Sequence, residues 1–139
     1  MVDSIVEVMT PVVHTVTPDT TLREAAEIMR DQDVGDVVVL EDDHLRGILT
    51  DRDIVVRCVA EGGDPATVTV GEVCSSEPAT VPHQSSVGDA VHVMRVEKVR
   101  RLPVVDDTEV TGIVTIGDLA LAIDEDSALA EVSGAAPNR

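Results

Sequence analysis

Apolar and polar residues follow a pattern along this chain that occurs twice. Residues 35–54, GDVVVLEDDHLRGILTDRDI, and residues 100–119, RRLPVVDDTEVTGIVTIGDL, share the same spacing of apolar positions. The match needs no gap, and at the same offset it aligns Val8 with Val73 and Met29 with Met94. A register that holds over so long a stretch indicates an internal duplication.

Each copy begins with a pattern that predicts an amphipathic helix. In the first copy Thr21 and Glu24 have the spacing of a capping box, and the helix runs to about Asp31. In the second copy Ser86 and Asp89 have the same spacing. The apolar positions of both helices recur with helical periodicity, and they are Leu22, Ala25, Ile28 and Met29, then Val87, Ala90, Val91 and Met94.

Two β-branched runs follow each of these helices and predict a hairpin. They are residues 37–40 and 45–50 in the first copy, and residues 102–105 and 110–115 in the second. A second helix begins near Asp51 or near Gly117. Its inward positions are predicted to be Ile54, Val55, Cys58 and Val59 in the first copy, and Leu119, Ala120 and Ile123 in the second.

Each copy therefore has the order β-α-β-β-α, which predicts an α+β fold of the α/β sandwich type. Because one copy of about 50 residues buries too little surface to be stable alone, we expect the two repeats to pack sheet against sheet with pseudo-two-fold symmetry. The predicted boundaries are 5–61 for the first repeat, 62–71 for a linker, 72–126 for the second repeat and 127–139 for a flexible tail.

Composition and charge exclude several classes of partner. The chain contains no Phe, Tyr or Trp, so stacking of aromatic side chains on nucleic-acid bases is excluded. The formal net charge of -17 repels phosphate backbones and anionic lipid, which argues against binding to nucleic acid or to a membrane surface. An anionic ligand needs a local basic pocket.

The sequence contains no motif typical of a metal site or of a catalytic site. His14, His44, His83 and His92 lack the compact spacing of metal ligands, and no nucleophile motif or phosphate-binding glycine loop occurs, so we expect neither a metal site nor an enzyme. Cys58 and Cys74 are expected to be free thiols, with a disulfide or redox role as the alternative. The first residues lack the pattern of a signal peptide, which favours the cytoplasm.

Several motifs together resemble those of the CBS domain, and the match covers about residues 5–125. They are VMTP at 8–11, TVTPDTTLREAAEIM at 15–29, GILTDRD at 47–53, RRLPVVD at 100–106 and GIVTIGD at 112–118. The chain is identified as a member of this family, with a tandem pair of CBS repeats, or Bateman module. Its layout is similar to that of stand-alone CBS-pair proteins of the mycobacterial hypoxic-response type.

The resemblance implies that the clefts between the repeats hold an adenosine-containing molecule. It assigns the ribose to Asp53 with Thr50, and to Asp118 with Thr115. The alternative for an Asp or Thr at this place is a helix N-cap, which we favour for Asp51.

The resemblance also assigns the adenine pocket, to Thr15-Val16 and Thr80-Val81, for which packing of an edge strand is the alternative. Gly47 and Gly112 are expected to let the sheet backbone approach the ligand.

The two copies differ where a phosphate group is expected. The second copy has Arg100 and Arg101 just before the strand-forming run at 102–105, whereas the first copy has Gly35 and Asp36 at these positions. Arg52 is the only base beside the first Thr-Asp motif, so one anion site built from Arg52, Arg100 and Arg101 is expected. The alternative for each Arg is a solvated surface charge.

Two functions are compatible with these residues. The first is a regulatory module that binds AMP, ADP, ATP or a related adenosyl ligand and acts on an unidentified effector protein. The second is a structural or interaction dimer with vestigial clefts. In both cases we expect a homodimer and no required cofactor. Asp118→Ala is expected to weaken ligand binding and barely to change folding.

Overall fold

The computed structural model describes residues 4–11, 14–74 and 78–123. The chain divides into two compact units. The first-repeat unit spans Val13–Pro78, and the second-repeat unit joins Met1–Val12 to Ala79–Pro137. Within the described residues, no helix has both the length and the apolar character needed to cross a membrane.

Both units are built from short helices and strands. In chain order the elements are α1 (Ile5–Val8), β1 (Thr10–Pro11), β2 (Thr15–Val16), α2 (Leu22–Gln32), β3 (Asp36–Glu41), β4 (His44–Thr50), α3 (Asp51–Ile54), a π-helical turn (Val55–Val59), α4 (Val70–Val73), β5 (Val81–Pro82), α5 (Val87–Glu97), β6 (Arg101–Asp106), β7 (Glu109–Thr115) and α6 (Ile116–Ile123).

The first-repeat unit contains a three-stranded sheet in the order β2-β3-β4. β2 is parallel to β3, and β3 forms an antiparallel hairpin with β4, with a register shift between Val39 and Leu40. One face of this sheet packs against α2 and the residues after β4. The buried side chains of this core are Val16, Leu22, Ala25, Met29, Val37, Val39, Leu49, Ile54, Cys58, Val70, Val73 and Cys74.

The second-repeat unit contains a four-stranded sheet in the order β1-β7-β6-β5. β5 is parallel to β6, and β7 is antiparallel to both β6 and β1. Its core repeats the composition of the first, with side chains from α1, α5, α6 and the sheet. They are Ile5, Val81, Val87, Ala90, Met94, Leu102, Val104, Val114 and Leu119.

The segment that precedes each repeat packs in the unit of the other repeat. The backbone N–H of Ile5 donates to the carbonyl of Ser85 at 3.0 Å, so α1 lies in the second-repeat unit. At the corresponding place, the N–H of Val70 donates to the carbonyl of Thr20 at 2.7 Å, so α4 lies in the first-repeat unit. Compact units and sequence repeats therefore divide the chain differently, and the boundaries at 5–61 and 72–126 stay a prediction.

The α+β class and the two predicted capping boxes are confirmed. The hydroxyl of Thr21 accepts the N–H of Glu24, and the hydroxyl of Ser86 accepts the N–H of Asp89. The predicted tail 127–139 lies outside the described residues. How the two sheets pack against each other stays a prediction.

The inward face predicted for the second helix of each copy is partly wrong. In the first copy Ile54 and Cys58 are buried, but Val55 and Val59 are each 57% exposed. The cause is the π-helical turn, in which the N–H of Ala60 bonds to the carbonyl of Val55 and shifts the helix face. In the second copy Leu119 is buried, whereas Ile123 is 65% exposed at the end of α6.

Candidate ligand site at the two Thr-Asp motifs

The Thr50–Asp53 motif of the first-repeat unit is a reciprocal capping box. The N–H of Thr50 donates to Oδ2 of Asp53 at 2.9 Å, and the N–H of Asp53 donates to Oγ1 of Thr50 at 3.0 Å. Thr50 has an extended backbone and is the N-cap of α3. The carboxylate of Asp53 thus uses one oxygen to begin the helix, and 20% of its side chain is exposed.

The Thr115–Asp118 motif of the second-repeat unit has the same geometry. The N–H of Thr115 donates to Oδ2 of Asp118 at 2.9 Å, and the N–H of Asp118 donates to Oγ1 of Thr115 at 3.2 Å. Each motif therefore serves as a cap through one carboxylate oxygen. The assignment of both motifs to ribose stays a prediction. In that assignment the other carboxylate oxygen, Oδ1, would accept the hydrogen bonds from the ribose hydroxyls.

Asp51 is not the helix N-cap, contrary to the expectation from its place before an apolar run. The cap is Thr50, one residue earlier, because its hydroxyl reaches the N–H of Asp53 from an extended backbone. Asp51 is the first residue of α3, and its Oδ1 accepts the N–H of Arg52 at 2.8 Å. Its carboxylate is exposed beside the helix N-terminus, where negative charge is favourable.

The base that approaches the first motif is Arg57, which the sequence reading missed. Its Nε lies 4.0 Å from Oδ1 of Asp53, and its NH1 donates to the carbonyl of Val73 at 3.0 Å. Arg52, taken from the sequence as the only base beside the motif, is exposed on α3. The signal for Arg57 was its position four residues after Asp53, which places both side chains on one helix face.

Arg101 lies next to the second motif within the same sheet. It is the first residue of β6, and its Cα partner across the hairpin is Thr115. Asp36 occupies the equivalent place in β3, where its partner is Thr50. Paired residues on neighbouring strands project to the same face of the sheet. The sign of the charge beside the motif is therefore opposite in the two units.

Arg100 precedes β6 and is exposed, while its carbonyl accepts the N–H of Ile116 at 2.9 Å. Arg52 belongs to the first-repeat unit, whereas Arg100 and Arg101 belong to the second. A single anion site assembled from all three side chains stays a prediction.

Of the four residues assigned to adenine, the two valines pack in the cores. The side chains of Val16 and Val81 are 6% and 1% exposed and belong to the two cores. Thr15 is exposed at the start of β2, and Thr80 is half-buried before β5. Adenine contact by Val16 and Val81 stays a prediction. Because both side chains are buried, such a contact would involve their backbone atoms.

Gly112 is required by the protein itself rather than by a ligand. A Cβ at this position would lie 2.9 Å from the carbonyl oxygen of Thr10 and 2.5 Å from Sδ of Met9. Both belong to the segment around β1, which pairs with β7 so that Pro11 is opposite Gly112. The expectation that Gly112 makes room for a ligand is therefore wrong, because β1 occupies that space.

Both cysteines are free and buried, as expected. Burial raises the pKa of the Cys74 thiol. The positive charges of Arg46 and Arg57 lower this pKa, and the negative charge of Asp53 raises it further. In the described part of the chain, no group of three or more His, Cys, Asp or Glu side chains is arranged to hold a metal ion.

Comparison with known proteins identifies relatives that match most of the length of this chain. The family model for the CBS domain matches the chain twice, over residues 5–59 and 70–125. Hypoxic response protein 1 of Mycobacterium tuberculosis (strain ATCC 25618 / H37Rv) is 41% identical over 106 residues, which cover 76% of this chain and 74% of that protein.

Two solved structures are also similar. One is the crystal structure of Hypoxic Response Protein I with two coordinated zinc ions. It has 38% identity and a TM-score of 0.74, and the match covers 84% of this chain and 96% of that one. The other is CBSX2 in complex with AMP, with 27% identity and a TM-score of 0.73, covering 88% of this chain and 96% of that one.

Proposed function

The chain belongs to the CBS domain family, and on this premise we propose that it is a regulatory module that binds an adenosine-containing ligand. The ligand is AMP, ADP, ATP or a related molecule, held at a Thr-Asp motif. Binding changes how the module packs against a separate effector protein. No catalytic step and no required cofactor form part of this proposal.

The pairing of Arg101 with Thr115 is the observation that carries the proposal. Thr115 belongs to a motif in which Oδ2 of Asp118 accepts the N–H of Thr115, and among the described residues no hydrogen bond to Oδ1 occurs. A carboxylate oxygen accepts hydrogen bonds from ribose hydroxyls, and a neighbouring guanidinium attracts phosphate. The second-repeat unit thus carries the two chemistries that a nucleotide needs, one beside the other.

The first-repeat unit is less suited to a phosphate-bearing ligand. Its motif has Asp36 opposite Thr50, and a carboxylate there repels phosphate. We therefore propose one strong nucleotide site, which uses Asp118, Thr115, Arg100 and Arg101. The similar structure of CBSX2 with AMP supports the class of ligand.

A second candidate function is a dimeric interaction module whose clefts bind nothing. Exposed apolar side chains on the second helices favour it: Val55, Val56 and Val59 are 57%, 44% and 57% exposed. Ile116 and Ile123 on α6 are 56% and 65% exposed. Apolar patches of this kind are typical of protein interfaces, so we propose a homodimer under either function.

Calorimetric titration with AMP, ADP, ATP, NAD and S-adenosylmethionine tests the first function. Asp118→Asn keeps an oxygen for the N–H of Thr115 but loses the carboxylate charge, so binding should weaken by about 1.5 to 3 kcal/mol. Asp51→Asn is the matched control on an exposed aspartate at a helix start. Absence of heat with all five ligands would leave the interaction module as the better account.

A further inference from the structure

The two Thr-Asp motifs differ in what faces the second oxygen of their aspartate. In the first-repeat unit Nε of Arg57 lies 4.0 Å from Oδ1 of Asp53. In the second-repeat unit, no described side chain forms an ion pair with Asp118, and no described group donates a hydrogen bond to its Oδ1. The repeat offset places Ala122 where the first copy has Arg57, so the second copy has no cation at this position.

A second contact holds the Arg57 side chain beside the motif. Its NH1 donates to the carbonyl of Val73 at 3.0 Å. Val73 is the last residue of α4, whereas Arg57 lies in the π-helical turn, so two separate elements meet here. A guanidinium carries several N–H donors in a rigid fork, so one part can bond to a carbonyl while another faces a carboxylate. The position of Arg57 therefore does not depend on its pair with Asp53 alone.

The backbone that carries Arg57 also differs between the copies. Val55–Val59 form a π-helical turn, in which the N–H of Ala60 donates to the carbonyl of Val55 at 2.9 Å. The described residues at the corresponding place, 120–123, belong to the α-helix α6. Turns of the π type occur frequently at functional sites. Both the backbone and the side chain at this place are therefore specific to the first copy.

We propose that Arg57 determines ligand specificity, because its guanidinium competes with a ribose for Oδ1 of Asp53 and so weakens the first motif as a nucleoside site. The inference rests on the proposed function, in which ribose hydroxyls donate to this oxygen of a motif aspartate. A ribose that approaches Asp53 meets an oxygen that already faces a cation. A ribose that approaches Asp118 meets no such cation among the described residues.

The effect of Arg57 is distinct from that of Asp36. Asp36, opposite Thr50, acts on the phosphate group of a ligand, whereas Arg57 acts on its ribose. A nucleotide responds to both charges, because a guanidinium also attracts phosphate. Adenosine has the ribose and no phosphate, and it is uncharged, so a change in the net charge of the chain has little effect on its binding. Adenosine is therefore the probe that isolates the ribose contact.

Titration of the full chain with adenosine, followed by NMR through the backbone N–H signals of Asp53 and Asp118, gives a Kd for each motif. These N–H groups lie within the motifs, where they donate to Oγ1 of Thr50 and of Thr115. In the unmodified chain the Kd at Asp53 should be the higher. In Arg57→Gln it should fall by about threefold, the scale of an exposed ion pair, and the Kd at Asp118 should not change.

Control variants separate competition from a structural role. Arg23→Gln, on an exposed arginine of α2 in the same unit, should leave both Kd values unchanged. A residue needed only for folding would lose affinity when replaced, whereas a competitor gains it. Circular dichroism identifies a variant that fails to fold. Arg57→Lys then decides, and the Kd at Asp53 should fall in it too, because a single ammonium lacks the fork that spans Val73 and Asp53.

The outcomes at the two motifs distinguish this inference from the proposed function. Saturable shifts at Asp118 with no gain of affinity at Asp53 in a folded Arg57 variant would overturn the inference and leave the proposed function standing. A higher Kd at Asp53 in that variant would show that Arg57 assists the ligand instead. Absence of saturable shifts at both motifs in every variant would refute the proposed function and this inference with it.

Discussion

The backbone N–H of Thr115 donates to Oδ2 of Asp118 at 2.9 Å, and the N–H of Asp118 returns a hydrogen bond to Oγ1 of Thr115 at 3.2 Å. The carboxylate proposed to hold ribose therefore also begins α6. Loss of this side chain removes the acceptor of the Thr115 N–H together with the proposed ligand contact, whereas the backbone N–H at position 118 can still donate to Oγ1 of Thr115. The expectation that Asp118→Ala barely changes folding is not compatible with the first of these hydrogen bonds, which the substitution removes.

Removal of either motif carboxylate should destabilise the protein. Asp53→Ala and Asp118→Ala should each lower the free energy of unfolding by about 1 kcal/mol, because the N–H of Thr50 or of Thr115 loses its acceptor. Asp51→Ala is the control, since within the part of the chain that the structure describes its Oδ1 accepts only the N–H of Arg52. Urea denaturation measures all three, and equal values for Asp51→Ala and Asp118→Ala would contradict the capping role.

The segment ahead of the first repeat should stabilise the second-repeat unit. Ile5 is fully buried in that unit, whereas its neighbour Val6 is 45% exposed. Ile5→Ala should cost about 2 to 4 kcal/mol, because it leaves a cavity, and Val6→Ala about 0.5 kcal/mol or less. Denaturation in urea gives both values. A loss of similar size in the two variants would show that α1 does not pack in this core.

Acid should weaken the two capping boxes of Glu24 and Glu72. The backbone N–H groups of Thr21 and Thr69 donate to these carboxylates and lower the pKa of each below the ordinary glutamate value. Because the folded pKa is the lower one, their contribution is complete above the unfolded pKa and is lost as pH falls through the folded pKa.

The double variant Glu24→Gln, Glu72→Gln isolates this charge effect, since glutamine keeps an acceptor oxygen. The difference in unfolding free energy from the unmodified chain should shrink between about pH 7 and about pH 3. Glu61→Gln, on an exposed turn, is the control for general charge. A difference that stays constant across this range would contradict the role of the carboxylate charge.

The exposed valines of the π-helical turn should form a homodimer contact. Val59→Glu places a charge on this surface and should shift the chain towards monomer in light scattering. Val96→Glu on α5, at the same 57% exposure, should leave the assembly unchanged. A monomer for the unmodified chain at concentrations of about 100 µM or more would refute the homodimer, since stable interfaces persist there.

The elements that depend on local sequence were predictable. Thr21 with Glu24 and Ser86 with Asp89 begin their helices because both partners of each cap lie within one turn. The hairpins followed from β-branched runs around an acidic turn, where Asp42 and Asp43 have positive φ. Asp tolerates this conformation better than most residues do.

The features that depend on tertiary contacts were not predictable. The exposure of Val55 and Val59 follows from one π-type hydrogen bond, which changes the helix face without any signal in the apolar spacing. The packing of Ile5 depends on a partner 80 positions away, because its N–H donates to the carbonyl of Ser85. The pairing of Arg101 with Thr115 could be read from the hairpin register, but the exchange of the leading segments could not.

The stoichiometry of AMP binding, measured by calorimetry, tests the proposed asymmetry most directly. The unmodified chain should bind at one strong site, because Arg101 faces Thr115 whereas Asp36 faces Thr50. Arg100→Ala combined with Arg101→Ala should abolish this binding, and Asp36→Arg should strengthen the weak site or create a second one. Two equal sites in the unmodified chain, or undiminished binding by the double variant, would contradict the account.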